Sequence, residues 1–94
     1  TAYGLAFQPR LTRYQQTFSR IAATTNLARM LAQNGQEGAA EQMLIQVVQD
    51  VPAFPHALHN LSVLYAKTGR CREGLEFSRR AVALDKSFQL IQCE

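Results

Sequence analysis

Apolar residues return at steps of three and four along two stretches of this chain, and the second stretch repeats the first. One stretch carries Leu27, Met30 and Leu31, then Ala40, Met43, Leu44, Val47 and Val48, and the other carries Leu58, Leu61, Leu64 and Tyr65, then Leu75, Ala81, Val82 and Leu84. This is the spacing of one face of an α-helix. A glycine interrupts each stretch, and Gly35 and Gly69 lie 34 residues apart; the same step superposes Asn26 on Asn60, Leu27 on Leu61 and Ala32 on Ala66. A fixed period of this size marks a repeat architecture in which each repeat is one supersecondary unit. The pattern therefore predicts two helical hairpins, over residues 21–54 and 55–87. Each glycine falls where a helix ends and the chain needs positive φ. Pro52 and Pro55 bracket the join, since proline stops one helix but is tolerated in the first turn of the next.

Two stacked hairpins leave a helix face open at each end, so the flanks are expected to cover them. Residues 88–94, with Phe88, Leu90 and Ile91 behind Ser87 as N-cap, predict a short C-terminal capping helix. Residues 9–20 predict a helix opening at Pro9, with Leu11, Tyr14 and Phe18 at helical steps. Two readings of that segment stay open: a cap on the first hairpin, or one long helix from about Pro9 to Asn34 that could pair with another subunit. Residues 1–8, where Tyr3, Leu5 and Phe7 alternate around Gly4, have no companion strand and are read as an arm.

Leu58, Leu61, Ser62 and Tyr65 stand at the spacing W-x2-L-G-x2-Y, followed by Gly74 and Ala81 where small residues recur and by Lys86 at a closing position. Thr24, Leu27, Ala28 and Leu31 hold the same places in the first copy, with Ala40, Val47 and Pro52 after the turn. With its period of 34, the chain resembles the tetratricopeptide repeat over about 66 of its 94 residues. The first copy lacks both signature aromatics. The resemblance implies an all-α fold, with antiparallel helical hairpins stacked as a short right-handed solenoid, in one domain. It implies a scaffold, not a particular function.

Composition narrows the classes. The 94 residues are 47% hydrophobic and 18% charged, which suits a small soluble helical domain. No apolar run approaches the roughly 20 residues that cross a bilayer. No charged n-region and apolar h-region open the chain, and a start at Thr1 is compatible with a presequence already removed. Cys71 and Cys93, 22 residues apart, have no metal-like spacing and read first as reduced thiols, which favours the cytoplasm while leaving localisation unknown. A disulfide between the second hairpin and the C-terminal segment is also geometrically conceivable.

The net charge of +3 is mild. Lys67, Arg70, Arg72, Arg79 and Arg80 surround the second hairpin without interleaved aromatics, which reads as a solvated face and argues against a nucleic-acid surface. No nucleophile with its base, phosphate loop, H-E-x-x-H or paired CxxC is present, so no enzyme activity and no cofactor are expected. His56 and His59 share a helical side, but two imidazoles lack the third and fourth donors of a metal site.

The candidate site lies on the stripe opposite the core in each leading helix. In the second copy the stripe is His56, His59, Asn60, Val63 and Lys67, and in the first it is Ala22, Thr25, Asn26, Arg29 and Gln33. The resemblance implies that leading helices line a concave groove for partner peptides, with asparagines at the places of Asn26 and Asn60 holding peptide backbone. An asparagine amide can donate and accept at once. The alternative is that both asparagines bond to neighbouring backbone between the hairpins. Asn26, Arg29, Gln33, His56, His59, Asn60, Val63 and Lys67 are thus the expected partner-binding residues, with Arg29 and Lys67 favouring an acidic side chain or a terminal carboxylate. The expected function is a non-catalytic adaptor or chaperone-like module for protein partners. Alternatives are a self-associating structural unit and a regulatory fragment of a larger enzyme.

Overall fold

The fold is given by a computed structural model that describes residues 13–93. Within them are four helices and no strand: α1 Arg13–Gln33, α2 Glu37–Asp50, α3 Pro55–Lys67 and α4 Cys71–Leu84. The pairs α1/α2 and α3/α4 form two antiparallel hairpins. Helix α3 packs on all three others, whereas α4 packs on α3 among the helices.

Both hairpins turn in the same way, and the hydrogen bonds show why. Gly35 and Gly69 have φ of 86° and 80°. This left-handed conformation lets the next residue fold back on the last helical turn, so Gln36 N donates to Leu31 O at 2.8 Å and Arg70 N to Tyr65 O at 2.8 Å. Gly35 N donates to Ala32 O and Gly69 N to Ala66 O, completing the same motif twice. Pro55 occupies the first turn of α3 behind Phe54, where its missing N–H leaves no helical bond unmade.

The core runs through both hairpins: Ile21, Ala28, Ala40, Leu44, Val47, Phe54, Ala57, Leu61 and Leu64 are buried together. Leu58 is buried as well, and Tyr65 is packed at the edge, its ring in T-shaped contact with Phe77 at 5.4 Å. The Arg70 guanidinium lies 4.2 Å over the Tyr65 ring and pairs with Glu41, stitching the start of α4 to α2 across the repeat boundary.

Gly74 sets the closeness of the second hairpin. A Cβ there would stand 2.7 Å from Ser62 O and 2.8 Å from Tyr65 Cβ, so α3 and α4 touch where no side chain fits. Ala40, fully buried, is its counterpart one period earlier.

Several expectations are corrected. Leu27, Met30 and Leu84, which share the apolar spacing of their helices, are 49%, 54% and 49% exposed. Leu84 is the last residue of α4. Thr25, assigned to the exposed stripe, is buried, its hydroxyl turned back to donate to Ile21 O at 2.8 Å. Residues 13–20 are not a separate cap but the first turns of α1, continuous with the leading helix of the first hairpin. The parts of that prediction on residues 9–12, and the arm at 1–8, lie outside the described residues. The predicted helix over 88–94 is absent through Cys93, Glu94 lying outside the described residues. An irregular strap takes its place, held by side chains instead of helical bonds. The reading of Cys71 and Cys93 as reduced thiols is also corrected, because they form a disulfide. That bond removes the ground on which the cytoplasm was favoured.

Candidate functional site: a two-chambered groove between the leading helices

The 34-residue period that superposes the hairpins also superposes their exposed stripes. Ala22 matches His56, Asn26 matches Asn60, Arg29 matches Val63 and Gln33 matches Lys67. Because α1 and α3 lie side by side in the same sense, these positions form two rows facing one hollow. The hollow has two chambers. One, of about 220 Å³, is lined by Arg29, Ala32, Gln33, Leu44, His59, Asn60, Val63, Leu64 and Lys67. The other, of about 410 Å³, is lined by Phe18, Ala22, Thr25, Asn26, Arg29, Phe54, His56 and Asn60.

All eight expected partner-binding residues therefore lie on one continuous concavity, with Arg29 and Asn60 at the junction of the chambers. Asn26, Arg29, Gln33, His56 and Lys67 are exposed, and His59, Asn60 and Val63 are partly buried. The amides of Asn26 and Asn60 make no hydrogen bond to neighbouring backbone among the described residues. Sequence spacing did not point to Phe18, Phe54 and Leu44 as walls of the hollow. Phe54 sits at the join, outside either helical pattern, and Leu44 reaches the groove from α2; Phe18 meets Phe54 edge-on at 5.8 Å.

The electrostatics are one-sided. Arg29 and Lys67 line the hollow and no carboxylate among the described residues does, so this wall is cationic. The histidines connect the groove to the strap behind α3. Phe88 of the strap contacts the His56 ring edge-on and the His59 ring at a tilt, each at 5.1 Å. Burial under this cover, with repulsion from His56 second, holds His59 below the ordinary imidazole range. Its Nδ1 is buried without a hydrogen-bond partner among the described residues. Nearby, the backbone N–H and then the hydroxyl of Ser87 hold Asp85 below the usual carboxylate range.

A pH dependence follows from His59. Its folded form binds a proton less readily than the unfolded chain, whose imidazole titrates near about 6.5. The resulting stability is fully present above that value and is lost as pH falls through the lower folded value. The melting temperature is expected to fall between neutral pH and about 5, with His59→Gln flattening the profile over that window. An unchanged slope in the variant would assign the dependence elsewhere.

The comparisons with known proteins agree with this geometry. A family model described as tetratricopeptide repeat matches residues 20–50 and 56–84, more than half of the chain. The chain belongs to the tetratricopeptide-repeat family. The second stretch matches α3 and α4 to within one residue at each end, and the first runs from Arg20, within α1, to the end of α2. No match to a curated protein was found. Tetratricopeptide repeats generally serve as protein–protein interaction modules and are typically non-catalytic. No group of three or more His, Cys, Asp or Glu that could hold a metal ion occurs among the described residues, and none of their helices is long and apolar enough to cross a membrane.

Proposed function

We propose that this chain is a non-catalytic adaptor module that holds an extended, acidic peptide segment of a protein partner in the groove between α1 and α3. The observation that carries the reading is the convergence of all eight expected partner-binding residues on one hollow with cationic side chains and no acid among its described lining residues. The chamber walled by Ala32, Leu44, Val63 and Leu64 suits an aliphatic side chain, and the chamber bordered by the touching rings of Phe18 and Phe54 suits a second apolar one. Asn26 and Asn60 are free to bond the peptide backbone running between them. Arg29 and Lys67 receive an acidic side chain or a terminal carboxylate.

The test is selection from a displayed library of random linear peptides, followed by affinity measurement of the enriched sequences. Enriched peptides should carry at least one acid beside an apolar residue. The double variant Arg29→Glu with Lys67→Glu should weaken them on the order of 100-fold, because attraction becomes repulsion at two points. Asn60→Ala should cost about 10-fold, the scale of a directed hydrogen bond lost. Both variants should keep the helical signal of the parent. Enrichment of peptides without acids, or affinities unmoved by the double variant, would refute the reading.

One observation favours a second reading. Leu27 and Met30 are about half exposed on the side of α1 away from the groove, an apolar face that a second copy of the chain could cover. Sedimentation equilibrium of the parent and of Met30→Glu separates the two: a concentration-dependent mass abolished by the variant supports self-association, and a constant monomer mass removes it.

A further inference from the structure

The strap after α4 takes the place where sequence spacing predicts a capping helix, and its contacts occur at a few discrete points. Asp85 anchors its start by accepting from Ser87 N at 2.9 Å and Ser87 Oγ at 2.7 Å. Phe88 then covers His56 and His59 on α3, and Ile91 N donates to Ser78 Oγ at 3.0 Å. The Ile91 side chain lies over the gap at Gly74, 3.4 Å from where a Cβ would be. Cys93 closes the strap on Cys71, at the first residue of α4. The strap thus runs back along α4 from its end to its beginning.

The repeat register shows that this end of the array is adapted to the strap. Ser78 and Ala81 stand one period after Leu44 and Val47, so the side of α4 that would receive the next repeat is small and polar. Ser78 is fully buried all the same, and its hydroxyl is the acceptor for Ile91 N. The disulfide, in contrast, borders open space: Gly69, Arg70, Cys71, Arg72, Glu73 and Cys93 line a surface hollow of about 310 Å³. A reductant can reach the bond without disturbing the core.

We propose that Cys71–Cys93 is a thiol–disulfide exchange site at which a dithiol reductant unlatches the strap, uncovering the Gly74 and Ser78 face of α4 and the backs of His56 and His59. In the first step a thiolate of the dithiol attacks Cys93 Sγ, the bond to Cys71 breaks, and Cys71 leaves with the electron pair and takes up a proton. Cys71 is the better leaving group because it opens α4, where backbone N–H groups without a helical partner point outward. The second thiol of the reductant then displaces Cys93 from the mixed disulfide and closes the reductant into its own disulfide. Two electrons and two protons pass to the protein. This inference does not depend on what the groove binds.

The test is amide hydrogen exchange on the whole chain, oxidised and after treatment with dithiothreitol, with Cys93→Ser as a second route to the open strap. In the oxidised protein the Ile91 amide should be protected. Reduction, confirmed by titration of two thiols, should speed its exchange on the order of 100-fold, because the strap then opens locally, while the amides of Ala28, Leu61 and Leu64 stay protected. Cys93→Ser should behave as the reduced parent without any reductant. An Ile91 amide equally protected in both states would overturn the proposal, since packing alone would hold the strap. Loss of protection throughout α1 and α3 on reduction would overturn it too, as would a bond that millimolar dithiothreitol fails to cleave.

Discussion

Gly74→Leu is expected to lower the melting temperature by roughly 15 °C, the effect of about 3 kcal/mol in a domain of this size. The new Cβ would meet Ser62 O at 2.7 Å and Tyr65 Cβ at 2.8 Å, and neither atom is the far end of a flexible side chain. Helices α3 and α4 would have to separate, taking the cover over Ser78 with them. Gly38→Ala is the control. Gly38 lies within α2 with nothing within 4 Å of an added Cβ, so alanine there should stabilise the protein by about 0.5–1 kcal/mol through its better helix propensity. Thermal melts of the two variants check both values. Equal, small shifts would mean that the second hairpin is looser than its backbone contacts require.

Leu61→Ala and Leu27→Ala make the second large contrast, because the two positions are related by the 34-residue period and differ in burial. Leu61 is fully buried in the core shared by both hairpins, and truncating it should cost about 2–5 kcal/mol. Leu27 is 49% exposed, and the same truncation should cost less than about 1 kcal/mol. Denaturant titration of both variants reads the difference directly. A comparable loss at Leu27 would show that its face is covered in solution, as the self-association reading requires.

These positions also show how far the sequence could be read. Period, turns and register were legible because they depend on local chemistry. Gly35 and Gly69 close helices by adopting positive φ, and the steps from Leu58 to Tyr65 are the helical period itself. The stripe from Asn26 to Lys67 was legible for the same reason, since the faces of one helix are fixed by spacing. What covers a face is not a local property. Leu27 and Leu61 read alike, yet only Leu61 has helices packed over it. Thr25 falls on the polar stripe by spacing, but its hydroxyl bonds within its own helix and its side chain is buried. Phe54 and Leu44 reach the groove from outside the stripe, through packing that no helical wheel of α1 or α3 contains.

The strap failed to declare itself for a related reason. Phe88, Leu90 and Ile91 have helix-like spacing, but three tertiary contacts outweigh the weak propensity of so short a segment: Phe88 on the histidines, Ile91 on Ser78 and Cys93 on Cys71. A signal was present in the repeat comparison. Ser78 stands where the first copy has Leu44, a substitution that makes sense once an extended chain, not a helix, is to be received there.

NMR mapping of a selected acidic peptide onto the isotope-labelled chain decides whether the groove between α1 and α3 is where the partner sits. The largest amide shifts are expected to cluster at Asn26, Arg29, Asn60, Val63 and Lys67, along both chambers and on both leading helices. Shifts confined instead to the outer faces of α2 and α4, around Gln42, Gln46, Glu76 and Arg79, would contradict it.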